Sequence, residues 1–409
     1  MNITVIGAQW GDEGKGKIVD FLAADADLIV RFSGGANAGH TIVHGDRTYK
    51  LHLIPSGIIY ENKTVILGTG MVIDPEALFR ELSVLEEQGI SWKGRVLISS
   101  RAHLVLPGYK RQDIEIDKHR RQPIGTTGRG IGVTYAQKSM RDGMRLADLF
   151  NPARLDLIDP NDREYLLSYA ERLEPMMVDI TGYIHREQPK RMLLEGAQGV
   201  LLDLDLGTYP YVSSGYSAAA GAALGAGIGP RKIDGILGVF KAYSTRVGNG
   251  PFPTEFKKER DGDLEDLVRE LGHEYGVTTG RPRRCGYLDL VALRYACQSN
   301  GIDGLVLTHI DIYDAMESVQ ACVAYRIDGK ETKEFPSCSE KLANAQPVLK
   351  GFPGWKTPLE KITRYGDLPQ AAKDYITFIE DYTETPITIV SVGSDRSQTI
   401  VRREPWTKY

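Results

Sequence analysis

WGDEGKGKIV, Trp10 to Val19, stands just behind the apolar run Ile3–Ile6. A short buried strand, then glycines, then a helix is the order in which a phosphate-binding loop is built. The glycines free the backbone, the helix start presents unpaired N–H groups, and its dipole adds to the attraction for anions. Gly11, Gly16 and Lys17 fit G-x-x-x-x-G-K, with Lys17 in the charge-neutralising position. The pattern then asks for Ser or Thr to hold magnesium, and here it meets Ile18. Asp12 could fill that gap, because magnesium takes hard oxygen ligands. A glycine-rich surface turn is the competing reading; the strand–loop–helix order favours phosphate.

Apolar runs at Thr4–Ile6, Leu28–Arg31, Val65–Leu67, Val96–Ile98, Met192–Leu194, Ile236–Phe240, Leu305–Leu307 and Thr388–Val392 predict buried strands. Such continuous runs suit a parallel sheet covered on both faces. Helix patterns lie between them. Pro75–Gln88 has Asp74 as N-cap and Gly89 as its stop. Leu288–Ser299 opens near Asp289, ends at Asn300-Gly301, and puts Leu290, Leu293 and Cys297 on one face. The alternation predicts an α/β fold with ligands at the carboxyl ends of the strands. Arg111–Arg121 reads as a solvated helix or loop, and Leu146–Gln188 as a helical insert without a strand. Ser217–Gly229 is Ala/Gly-rich, suited to close backbone packing. Val323–Glu331, with its Asp328-Gly329 turn, predicts a small edge hairpin. No repeat or linker divides the 409 residues, so one unit spanning 1–409 is expected.

The formal charge of −4 gives no electrostatic reason to expect nucleic acid or a membrane surface as partner. No run of about 18 apolar residues supports a membrane span. The strand-like MNITVIG start predicts no signal peptide. Cys285, Cys297, Cys322 and Cys338 form no C-x-x-C pair and no metal pattern, as expected of reduced thiols in a cytoplasmic protein.

Further stretches carry chemistry. FSGGANAGHTIVH, Phe32–His44, follows a strand and places His40 on a glycine-rich loop, where it could act as general acid or stabilise a phosphoryl group. His44 and His52 read as solvated. QPIGTTGRGIG, Gln122–Gly132, followed by Lys138 and Arg141, and LEGAQGVLLDLDLGTYPYVSS, Leu194–Ser214, suit a small phosphorylated ligand. TTGRPRR, Thr278–Arg284, suits bidentate capture of carboxylates or phosphates, with a solvated basic turn as the alternative. Thr308-His309-Ile310-Asp311 ends a strand in a carboxylate that can accept from guanine N1–H and its 2-amino group, a donor pair adenine lacks.

Taken together, WGDEGKGKIVD, GGANAGHT, IGTTGRGIG, LEGAQG, DLGTYPYVSS, KAYSTRVGNGPFPTE, GVTTGRPRRCGYLDLVALRYA and SVGSDR resemble the adenylosuccinate synthetase family, in the family's order and from Gly7 to Arg396. The resemblance implies one large α/β unit around a mostly parallel central sheet, P-loop NTPase-like, flanked by helices and working as a homodimer. It implies a ligase that uses GTP to phosphorylate the 6-oxygen of IMP and then lets the amine of L-aspartate displace that phosphate. One magnesium ion per site would be held by Asp12 and the backbone oxygen of Gly39. Asp12 matches the family's general base and His40 its proton donor. GTP would meet Gly11, Asp12, Glu13, Gly14, Lys15, Gly16, Lys17, Gly39, His40, Thr41, Arg283, His309, Ile310, Asp311, Ser391, Val392 and Gly393. IMP would meet Asp12, Glu13, Gly14, Lys15, Asn37, Ala38, Gly39, His40, Thr127, Gln198, Ser213 and Arg281, with Arg141 reaching the neighbouring subunit's IMP. Val277, Thr278, Thr279, Gly280, Arg281, Pro282 and Arg283 match the aspartate-binding loop.

The sequence departs from the family at ligand-reading positions. His309 stands for a usual lysine, Ser213 for threonine, Gly215-Tyr216 for Ser-Asn, and Val133 and Gln137 for a proline and an acidic residue. Asp12 and His40 are intact. Neutral drift is one reading, and a relative aminating another purine nucleotide, such as dGMP, or using ATP, is the other. A non-catalytic GTP-binding regulator would not need the arginine loop together with Asp12 and His40.

Overall fold

Alternation along the first strand decides how the layers form. Asn2–Gly7 is buried almost throughout, with Ile3 and Val5 turned into one apolar cluster and Ile6 into another. A strand with two apolar faces needs a cover on each. The helix Lys15–Ala23 and the helix Pro75–Glu87 cover one face through Ile18, Val19, Leu22, Leu78, Phe79 and Leu82. Leu290–Asn300, Gln370–Thr383 and the short Ala220–Ala226 cover the other. The computed structural model describes every residue except 38, 45, 46, 122, 277–279, 281 and 409, with His44 described in backbone only.

The central sheet has ten strands among the described residues. In spatial order they are Thr399–Val401, Ile387–Ser391, Gly304–Thr308, Gly235–Lys241, Asn2–Gly7, Met192–Gly199, Leu28–Arg31, Thr64–Leu67, Val96–Ser99 and Met177–Val178. Every pairing is parallel except that of Thr399–Val401. All eight predicted strands are present, and their carboxyl ends share one edge. Asp289 caps the helix Leu290–Asn300 by accepting from the Ala292 N–H at 3.0 Å. Asp74 stands at the start of Pro75–Glu87 without capping it; its carboxylate pairs with Lys110 at 2.7 Å instead.

Further expectations need correction. The 146–188 insert is not purely helical: Met177–Val178 adds a strand to the sheet edge, paired with Ile98 and Ser99. Its two residues are too few to show a period. The stretch read as a loop to His44 includes the strand His40–His44, paired antiparallel with Arg47–Leu51. The Asp328-Gly329 turn does join a hairpin, with φ of 50° and 78°, but the hairpin belongs to a separate small sheet with Gln346–Pro353. Arg111–Arg121 falls mostly within the helix Pro107–His119, which buries no residue. His52 is half-buried. All four cysteines are free, and only Cys338 is exposed. Among the described residues no helix is long and apolar enough to cross a membrane.

The Ala/Gly run packs as its composition suggests. A Cβ on Gly225 would stand 2.1 Å from the Phe32 carbonyl oxygen, so helix backbone lies directly on the strand end that leads to His40. Gly225→Ala is expected to destabilise the protein by roughly 1–3 kcal/mol through overpacking. A urea midpoint equal to that of the parent would show that the helix can move off Phe32 at no cost.

Candidate active site

The loop after the first strand is built around a buried charge. A Cβ on Gly7 would come within 2.4 Å of the Glu13 carboxylate, so glycine there leaves room for that group to fold beneath the loop. Glu13 has no exposed surface; it accepts from Gln9 N at 3.1 Å and Gly11 N at 2.8 Å and pairs with Lys15. Gly11, Asp12 and Gly14 all have positive φ, at 87°, 58° and 80°, a region Asp tolerates better than most residues. Gly14 opens the helix Lys15–Ala23 with no side-chain cap, which leaves its first N–H groups for an anion. Lys17 donates to Ser391 Oγ and to the carbonyls of Gly393 and Gln398, at 2.7, 2.7 and 3.1 Å. Burial lowers its pKa to about 8, against the pull of Asp311 and Asp395.

Asp12 and Arg283 are in direct contact on the cavity lining. Arg283 Nε lies 2.8 Å from the Asp12 carboxylate, and its Nη1 lies 2.8 Å from Glu274. Glu274 is fully buried and also pairs with Lys241 and the Tyr243 hydroxyl. Burial alone would push its carboxyl up, but Lys241, His309 and Arg283 bring it down to about 2. The His309 ring stands edge-on to Tyr243 at 5.9 Å. Burial and the Lys241 cation lower its pKa to about 3, so the imidazole is neutral at physiological pH. Burial raises the Asp311 carboxyl above its ordinary range.

His40 also lines the cavity, beside Gly16, whose added Cβ would lie 3.2 Å from the His40 Cβ. Its Nδ1 lies 3.2 Å from Glu195 Oε1. Glu195 is buried, yet contacts with His40, Arg31 and the Ser56 N–H hold its carboxyl below the usual range. Register shifts between the first strand and Met192–Gly199, and Gln198 takes a φ of 59° there. Its amide reaches Asn37 at 3.4 Å.

One cavity of about 1050 Å³ joins these walls. Of the residues assigned to GTP, it is lined by Gly11, Asp12, Gly14, Lys15, Gly16, Lys17, Gly39, His40, Thr41, Arg283, His309, Asp311, Ser391 and Gly393. Of those assigned to IMP, it adds Asn37, Thr127, Gln198 and Ser213. The side chains of Glu13, Ile310 and Val392 are buried behind the wall. Arg141 is exposed, off the cavity, with a φ of 71° at the end of the helix Ile131–Met140. Ala38, Val277, Thr278, Thr279 and Arg281 lie outside the described residues. Gly280 and Pro282 are exposed and do not line the cavity.

Sequence reasoning assigned no role to Glu195, Lys241 or Glu274. Glu195 and Lys241 each follow an apolar strand core directly, and a charge in that position is the signal that could have found them. Glu274 precedes the arginine loop in HEYGVTTG, without such a mark. Two departures have local causes. A Cβ on Gly215 would lie 2.9 Å from the Tyr135 hydroxyl, and Val133 is buried.

A family model described as adenylosuccinate synthetase matches residues 4–158 and 157–400. The adenylosuccinate synthetase of Synechococcus sp. strain CC9311 is 48% identical over 430 residues, covering 99% of this chain and 97% of that one. That of Desulforamulus reducens is 46% identical, covering 98% of each. Among solved structures, the fully ligated adenylosuccinate synthetase of Plasmodium falciparum superposes with a TM-score of 0.90 at 36% identity, covering 98% and 99% of the two chains. The succinoaminodeoxyadenylate synthetase of cyanophage S-2L, solved with dGMP and dATP, shares the fold at a TM-score of 0.65 and 20% identity, covering 99% and 96%.

An anion brought beside Lys17 raises its lowered pKa, so binding of a nucleoside triphosphate should take up protons near pH 8. Calorimetry in buffers of different ionisation enthalpy reads this directly. Uptake should vanish in Lys17→Met, and uptake that persists there would assign the proton to another group.

Proposed function

The chain belongs to the adenylosuccinate synthetase family, and from that premise we propose that Asp12 and His40 carry the chemistry of the cavity. The enzyme is a ligase that joins IMP and L-aspartate at the expense of GTP, through 6-phosphoryl-IMP, and the family works as a homodimer. One unit spanning 1–409 acts in the cytoplasm.

A purine 6-oxo group leaves poorly, and a phosphate ester leaves well. The 6-oxygen becomes a nucleophile as N1 loses its proton, and Asp12, on the cavity lining, takes it. His40, lining the same cavity, faces the moving γ-phosphoryl group and stabilises its charge. Lys15, Lys17 and the uncapped helix start receive the triphosphate. Asp311 accepts from the guanine edge, with the neutral His309 ring against its face. Arg281 and Arg283 hold the carboxylates of aspartate. Asn37, Thr127, Gln198 and Ser213 receive IMP, and Arg141, which does not line its own cavity, serves the neighbouring subunit.

The donor set fits magnesium. Asp12 presents a carboxylate with 35% of its side chain exposed, and Gly39, whose backbone carbonyl would be the second ligand, lines the same cavity; both offer hard oxygen. The bound ion supplies charge neutralisation at the phosphoryl group. Arg283, now on Asp12, is the cation that would have to share that carboxylate with it.

The observation that carries this reading is the single cavity that brings Asp12, His40 and Arg283 together. Amination of another nucleotide is disfavoured, since the relative solved with dGMP shares only 20% identity. Phosphate release should require GTP, IMP and aspartate together, and release with any one omitted would contradict the reaction. Asp12→Asn should lower turnover by at least about 10²-fold, the lower range for acid–base catalysis; a fully active variant would remove Asp12 from its role. Arg281→Leu should raise the KM for aspartate or IMP more than about tenfold, as the loss of a charge-assisted contact predicts. Unchanged steady-state constants would refute that assignment.

A further inference from the structure

We propose that Glu195 is the positioning residue for His40: it fixes the imidazole so that Nδ1 points into the wall and Nε2 into the cavity. The inference rests on the reading of His40 given above and adds to it the group that aims the ring.

Three contacts converge on the carboxylate. His40 Nδ1, buried and without an aligned hydrogen bond, lies 3.2 Å from Oε1 in ion-pair range, the Ser56 N–H donates to Oε2 at 2.9 Å, and Ser56 Oγ donates to Oε1 at 3.3 Å. Behind it, Arg31 is paired in register on the adjacent strand and is itself buried, donating to the carbonyls of His52 and Gly35. Glu195 has no exposed surface, while His40 retains 9% of its side-chain surface and lines the cavity. A carboxylate in that place is reached by no substrate. It acts only through the ring in front of it.

The hydrogen-bond inventory shows why a carboxylate is needed. The Ser56 N–H is a buried backbone donor and requires an acceptor. A carboxylate accepts on both oxygens, so it serves Ser56 and a protonated Nδ1 together. A glutamine has one acceptor. If its oxygen stays on Ser56 N–H, its NH₂ faces Nδ1 and demands the opposite tautomer.

The test uses the full-length enzyme labelled with ¹⁵N-histidine, with His40→Asn to identify the His40 signals. Nδ1 of His40 should be protonated in the parent and unprotonated in Glu195→Gln. Turnover of Glu195→Gln should fall about 10²-fold with KM values for GTP and IMP unchanged, a loss of the size acid–base terms carry. Glu195→Gln/His40→Asn should be no slower than His40→Asn alone, as expected of residues acting as a unit. Turnover near the parent's in Glu195→Gln, or additive losses in the double variant, would overturn the positioning role while leaving that of His40 standing. A His40→Asn enzyme at the parent rate would overturn both. Should Glu195→Gln not fold, the parent spectrum decides alone: an unprotonated Nδ1 overturns the proposal.

Discussion

The buried carboxylate of Glu13 is the constraint on which the cavity depends. Stranding such a charge by removing its partners costs roughly 3–5 kcal/mol. Gln9 N, Gly11 N and Lys15 supply those partners, and Gly7 supplies the space. The loop therefore cannot unwind without isolating an ion. That holds Asp12 at its left-handed φ, on the wall and half-open to the cavity. The crowd of charges in GDEGKGK thus divides by role. Glu13 holds the loop, Asp12 faces the cavity, and Lys15 does both. Lys17 tethers the helix to the strand end at Ser391 and the Gly393 turn that follows.

The same logic repeats elsewhere on the cavity, where His40 and Arg283 each have a buried carboxylate behind them. Glu195 stands behind His40, and Arg31 behind Glu195. Glu274 stands behind Arg283, with Lys241 and Tyr243 behind Glu274. Arg31 and Lys241 end strands of the parallel sheet, and Glu195 pairs beside Arg31, where the apolar core stops and the cavity begins. Low dielectric strengthens each pairing and penalises each unpaired group. The side chains that meet substrate therefore sit on supports that cannot shift cheaply.

Much of this was legible in the sequence because parallel strands buried on both faces leave unbroken apolar runs. All eight such runs became strands of one sheet. Met177–Val178 escaped because two residues have no period, and its neighbours Pro160–Leu173 and Ile180–Glu187 are strongly helical. His40–His44 escaped because the glycines before it dominate the local signal, although Ile42 and Tyr49 pair across the hairpin. Motif resemblance named the cavity residues one by one but said nothing of depth. Glu13, Ile310 and Val392 stand in the right segments with their side chains turned inward. Burial of that kind follows from the register of distant strands, which a local pattern does not encode.

The departures from the family take on a physical meaning in the same frame. A lysine at position 309 would put a second ammonium beside Lys241, with Glu274 already shared between Lys241, Arg283 and Tyr243. A neutral imidazole avoids that repulsion and keeps its edge-on contact with Tyr243. The Gly215 change is matched by the Tyr135 hydroxyl, which donates to the Gly70 carbonyl at 2.7 Å, accepts from the Gly34 N–H at 3.1 Å, and would meet any Cβ at position 215. Tyr135 thereby ties the helix after IGTTGRG to the loop that carries Asn37. In both places a change on the ligand-reading surface is answered by a neighbour one layer down. Asp12 and His40, at the reacting centre, keep the residues the chemistry requires.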